Sequence, residues 1–116
     1  MPFSRDIDRL DYILELVDLI QSEIEGYSRD EFLKSRSVRD LAAYRLGTVG
    51  ETAHRLSESL KRQHEGVPWR AIAAFRNIVA HDYPSINSAY VWNIIERDLM
   101  EFERACRTLR DGLESA

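Results

Sequence analysis

A chain of 116 residues has the size of a single domain, and 44% hydrophobic with 31% charged residues places it outside the disordered and membrane-embedded classes. Sixteen Lys and Arg against 20 Asp and Glu give a net charge of −4, which excludes the generic basic signature of nucleic-acid binding, and no apolar run approaches the roughly 18 residues a bilayer span needs. A lone Cys106 excludes a disulfide framework within the chain, and the leading MPFSRDIDRL has no apolar leader segment, so the expectation is a cytoplasmic protein.

The helical period runs almost throughout. Ser4 is placed to cap a first helix whose apolar face is Ile7, Leu10, Ile13, Leu14, Val17, Ile20 and Ile24, closed by Gly26. Ser28 and Glu31 then read as a capping box, with Tyr27 and Phe32 in the staple positions, opening a short helix over about 29–35. Ser37 with Asp40 repeats the start signal more weakly and opens a long helix to about residue 64. In it Val38, Ala42, Leu46, Val49, Ala53, Leu56 and Leu60 alternate in steps of four and three, the seam of a helix packed nearly parallel to its neighbours. Gly47 and Gly50 interrupt this helix at about 1 kcal/mol each relative to Ala. The gap admits either another backbone or a ligand.

Glu65-Gly66-Val67 is a loop, and Pro68 suits the first position of a helix running from Trp69 to about Asp82 and stopping before Pro84. Asn87 caps a last helix with the stripe Val91, Ile95, Leu99, Phe102, Cys106, Leu109 and Leu113. Five Gly and three Pro leave little turn chemistry for a β fold. The sum is an all-α chain, one domain over 1–116, folded as an antiparallel four-helix bundle with one additional short helix between the first two long ones.

Charge is spread unevenly. Residues 1–58 carry 8 bases and 12 acids, residues 59–116 carry 8 of each, and Asp6–Glu25 alone holds seven acids against Arg9. Fourteen of the 16 bases are Arg, which suits bidentate phosphate contacts, although codon usage gives the same bias. Phosphate loops, paired CxxC and HExxH are missing. Glu51-Thr52-Ala53-His54 is one Glu-x-x-His, but a di-iron site needs two, and neither His64 nor His81 has an acid three residues earlier. No metal or other cofactor is expected.

The unusual stretch is Arg76-Asn77-Ile78-Val79-Ala80-His81-Asp82-Tyr83-Pro84, which crowds polar residues onto the end of the most apolar helix. Asn77 and His81 share a face. Read by periodicity alone, His81 caps the last turn, Arg76 pairs with an acid of another helix, and Tyr83 packs.

Arg76-Asn77-(x)3-His81-Asp82-Tyr83 resembles the Arg-x4-His-x-Tyr signature of the HepT-like toxins of the HEPN superfamily. Val67-Pro68-Trp69 before the motif, Val91-Trp92-Asn93-Ile94 after it, and Leu46-Gly47-Thr48-Val49-Gly50-Glu51 in mid-chain are similar to that family too, so the likeness covers about residues 6–110. The resemblance implies a metal-independent endoribonuclease that forms a homodimer with one composite cleft. It also implies a nucleotidyltransferase antitoxin as partner, which adds AMP to the motif tyrosine, here Tyr83.

The residue types suit that chemistry. Metal-free RNA cleavage uses the neighbouring 2′-OH as nucleophile, so the enzyme moves protons and steadies a phosphate. His81, with an unperturbed pKa of about 6.5 for its residue type, is assigned general acid–base work. Arg76 holds the phosphate, and Asn77 orients His81 or a phosphate oxygen. The products carry a 2′,3′-cyclic phosphate and a 5′-OH. RNA contact in an acidic protein must be local, with Arg70, Arg76 and also Arg39 or Arg45 as candidates; the acidic first helix faces away from RNA or toward a basic partner. Two alternatives stay open: a non-catalytic helical partner of a nucleotidyltransferase, and the antitoxin of such a pair.

Overall fold

A computed structural model describes residues 5–77 and 88–115, and every regular element among them is helical. The first helix, α1 (Asp6–Ile24), buries Leu10, Ile13, Leu14, Leu16, Val17 and Ile20. Gly26 follows its end with φ +83°, the left-handed conformation that a glycine adopts without steric cost. Ser4 lies outside the described residues, and Arg5 at the N-cap position makes no side-chain capping bond.

Ser28 starts α2 (Arg29–Lys34) with the complete capping box: the Glu31 N–H donates to its hydroxyl at 3.1 Å and its own N–H donates to the Glu31 carboxylate at 2.9 Å. The Ser28 backbone N–H, with the Ser28 side chain second, holds the Glu31 carboxyl below the usual carboxylate range. Phe32 is fully buried and its ring lies 5.1 Å from that of Trp92, which ties α2 to the last helix.

The long second helix departs from expectation at both ends. It is α3 (Arg36–His54), capped by Ser35 rather than Ser37, with the Val38 N–H donating to the Ser35 hydroxyl at 3.4 Å. It ends ten residues early. Ser57 adopts an extended conformation and caps a separate α4 (Glu58–Arg62), accepting from the Leu60 N–H. The Asp6 carboxylate fixes the break by accepting both the Ser57 N–H at 3.0 Å and its hydroxyl at 2.6 Å. Leu56 and Leu60 remain buried on either side, so the apolar seam runs on through the break.

Contacts set the directions. Asp6 at the start of α1 meets Ser57 beyond the end of α3, while Arg45 in mid-α3 donates to the Leu19 carbonyl near the end of α1, so the two helices run antiparallel. Pro68 precedes α5 (Trp69–Ala73), which packs on α3. The Trp69 indole N–H is shared between the Lys61 and His64 carbonyls at 3.1 Å each, closing the loop between α4 and α5, and its ring stands edge-on to Phe102.

The helix expected over 69–82 is interrupted: Ala74 and Phe75 form a turn, helix resumes at Arg76 and Asn77, and the remainder lies outside the described residues. So does the expected Asn87 cap. The last helical stretch consists of α6 (Ser88–Asn93), a π-helical turn over Ile94–Asp98, and α7 (Leu99–Glu114). Its predicted stripe is buried from Val91 to Leu109, with Leu113 packed against the core. Arg110 joins α7 to Asp11 of α1. With α6 near α2, the last helix runs antiparallel to α1.

Candidate active site

The site is assembled where the end of α5 meets the C-terminal part of α3. A Cβ built on Gly50 would stand 2.7 Å from the Arg76 nitrogen, 2.8 Å from the Ile72 carbonyl oxygen and 2.9 Å from the Phe75 Cβ. Two of these three neighbours are backbone and have nowhere to give. Gly50 is therefore the notch that seats the start of the Arg76 helix against α3. The gap foreseen in the sequence is filled by backbone.

The next residue of α3 supplies the electrostatics. The Glu51 carboxylate lies 3.8 Å from Arg76 Nη1 and 3.1 Å from Arg55 Nη2, one acid shared by two guanidiniums. Arg76 and Glu51 are each 42% exposed at the side chain and Arg55 is 65% exposed. The Arg76 fork is thus braced on one side and open to solvent on the other, the state of a cation that can still accept a phosphate. Thr52, next after Glu51 in α3, is buried, its hydroxyl donating to the Thr48 carbonyl at 2.8 Å.

Asn77 follows at the surface, its N–H donating to the Ala74 carbonyl at 3.0 Å. Arg70 is exposed on α5. His81 and Tyr83 lie outside the described residues. Arg39 and Arg45 have other work: Arg39 donates to the Leu33 carbonyl at 3.0 Å and Arg45 to the Leu19 carbonyl at 3.2 Å, which brace α3 against α2 and α1. Sequence reasoning considered an acid from another helix as the partner of Arg76 without finding Glu51, and it missed Arg55. The available signals were the carboxylate directly after a notch glycine and the four-residue spacing from Glu51 to Arg55.

A groove of about 560 Å³ opens between α5 and the last helix, with Val67, Ile72, Phe75, Ile94 and Phe102 among its lining residues. Neither Arg76 nor Asn77 lines it among the described residues. No cluster of His, Cys, Asp and Glu among the described residues has the grouping of a metal site, and no described helix is long and apolar enough to cross a membrane.

With Arg76 exposed and braced by Glu51, the described residues form a small helical protein that presents a solvent-open cation beside α3. It belongs to the ribonuclease HepT-like family, whose model matches residues 13–109 and so spans the motif. The protein named "Putative RNase TTE0752" from Caldanaerobacter subterraneus subsp. tengcongensis is 25% identical over 100 residues, which cover 86% of this chain and 89% of that one. The "Probable ribonuclease HepT" of Thermococcus cleftensis is 24% identical over 103 residues, 89% of this chain and 94% of that one. A longer protein of Methanocaldococcus jannaschii, "Gamma-glutamylcyclotransferase and putative RNase MJ0434", is 22% identical over 105 residues; they cover 90% of this chain but 47% of that one. No solved structure matches the chain.

Proposed function

We propose that this chain is a metal-independent endoribonuclease, the toxin of a toxin–antitoxin pair, working as a homodimer of antiparallel four-helix bundles with a composite cleft. The observation that carries the reading is the Arg76 guanidinium, seated by Gly50, braced by Glu51 and still open to solvent, in a member of the ribonuclease HepT-like family. Arg76 binds the non-bridging oxygens of the scissile phosphate and offsets the charge that builds as the pentacoordinate transition state forms. His81 takes the proton of the 2′-OH as that oxygen attacks phosphorus, and the 5′-oxygen leaves with a proton returned by an imidazolium, so that a 2′,3′-cyclic phosphate and a 5′-OH result. Asn77, exposed one residue on, orients the imidazole or a phosphate oxygen.

A nucleotidyltransferase antitoxin silences this chemistry by adding AMP to Tyr83, whose bulk and charge block the cleft and repel RNA. The test is growth. Expression of the chain alone is expected to arrest cells and co-expression of the antitoxin to restore them, while Tyr83→Phe stays toxic in its presence. Equal rescue of the wild type and Tyr83→Phe would remove the modification step.

The Arg76–Glu51 ion pair also suits a module that holds a phosphate without breaking it. In that case complex formation with the nucleotidyltransferase persists and RNA turnover is absent.

A further inference from the structure

The site above uses Glu51 and Arg55 only to brace Arg76 and leaves unused the exposed face of α3 that runs from them to Tyr44. Tyr44, Glu51 and Arg55 are seven and four residues apart, so their directions fall within about 40° of one another around the helix. They form one stripe, with Arg55 about 6 Å and Tyr44 about 10 Å along the axis from Glu51. Glu51 is the residue that holds Arg76.

Tyr44 is 61% exposed, the most exposed of the large hydrophobic side chains among the described residues. Its neighbours along the stripe are polar: Thr48, whose hydroxyl donates to the Tyr44 carbonyl at 3.1 Å, and Asp40, paired with Arg36 at 3.4 Å. A lone ring among polar groups is a poor start for a dry protein–protein interface, which needs a continuous apolar core. It is a good platform for one flat ring laid upon it. The charge agrees. Arg55 and Arg76 share a single carboxylate, leaving a local charge of +1 on a protein whose net charge is −4.

We infer that this stripe of α3 is a single-stranded RNA track leading to Arg76, with Tyr44 stacking on a base and Arg55 holding a phosphate neighbouring the scissile one. The inference rests on the ribonuclease reading, which places the scissile phosphate at Arg76. It adds a base contact on the helix that carries the Gly50 notch and a second phosphate contact at the residue that caps its C-terminal end.

The test uses a labelled single-stranded RNA oligonucleotide and the full chain carrying His81→Ala to prevent turnover, with binding followed by anisotropy. Tyr44→Ala is expected to raise Kd by about tenfold, within the roughly 5- to 150-fold range of one base stack. Tyr44→Phe, which keeps the ring, is expected to stay within about twofold of its parent. Arg55→Ala is expected to flatten the dependence of log Kd on log salt by about 0.7.

Unchanged binding by Tyr44→Ala, or an equal loss in Tyr44→Phe, overturns the stacking role. If Tyr44→Ala instead changes the oligomeric state measured by light scattering and RNA affinity falls only with it, the face belongs to a second copy of the chain and the inference is overturned. Parallel cleavage assays with native His81 separate the two readings. His81-dependent cleavage without any Tyr44 effect on binding sinks the track alone, whereas Tyr44-dependent binding without cleavage, by protein whose intact mass shows no added AMP, sinks the ribonuclease and keeps the RNA contact at Tyr44.

Discussion

At Gly50 a single missing methyl group decides where Arg76 stands. Ala at this position gains about 1 kcal/mol of helix propensity, but its Cβ meets backbone atoms at 2.7 and 2.8 Å, an overpacking that costs about 1–3 kcal/mol. Gly50→Ala is therefore expected to lower the midpoint of denaturant unfolding slightly and to lower any Arg76-dependent activity far more. Equal losses in both would show that the notch serves stability alone.

Cys106 makes the opposite case, a reactive residue type held inert. It is fully buried in α7, and burial, helped by the charge of Glu103, pushes its thiol up to about 12. Thiol reagents at neutral pH are expected to label it only as fast as the chain unfolds; rapid labelling of native protein would contradict its placement. The linkage has a definite sign. An unfolded thiol ionises near pH 8.5 and the folded one near 12, so between these values the unfolded state binds fewer protons and stability falls as pH rises. Cys106→Ala is expected to lose that part of the alkaline slope.

Among the elements, those fixed by near neighbours were legible and those fixed across the fold were not. Ser28 and Glu31 are three residues apart and announce α2 by themselves. The break between α3 and α4 was hidden because Asp6, which caps it, is 51 residues from Ser57 and because Leu56 and Leu60 keep the seam in phase. The Asp6–Ser57 pair can be measured by a double-mutant cycle. Each Ala substitution is expected to cost about 1–2 kcal/mol and the pair together less than the sum, since they share one interaction; strict additivity would mean the two side chains act independently. In the last helix the steps Val91, Ile95, Leu99 advance by four twice. That drifts by about 80° on a regular α-helix but keeps to one face over the wider π turn at Ile94–Asp98. The site divides in the same way. Arg76, Asn77, His81 and Tyr83 stand out as a motif in the sequence, the last two outside the described residues, whereas Glu51 as the brace of Arg76 depends on α5 settling at Gly50, which the local signals of a glycine before a carboxylate do not fix.

At the scale of the whole molecule, charge limits how the proposed RNA substrate can be held. A chain of net charge −4 with acids concentrated on α1 cannot grip a nucleic acid broadly. If Arg76 and Arg55 provide the phosphate contacts, log Kd should change with log salt by a slope of magnitude below about 2 for single-stranded RNA. A much steeper slope would point to a basic surface other than this one. The central claim, a ribonuclease that needs His81 and no metal, is tested most directly by incubating RNA in EDTA with the purified wild type and His81→Ala and reading the product termini. The account predicts 2′,3′-cyclic phosphate and 5′-OH ends from the wild type and a rate at least about 100-fold lower from His81→Ala. Equal cleavage by the two proteins, or no cleavage by a wild type whose intact mass shows no added AMP, would contradict it.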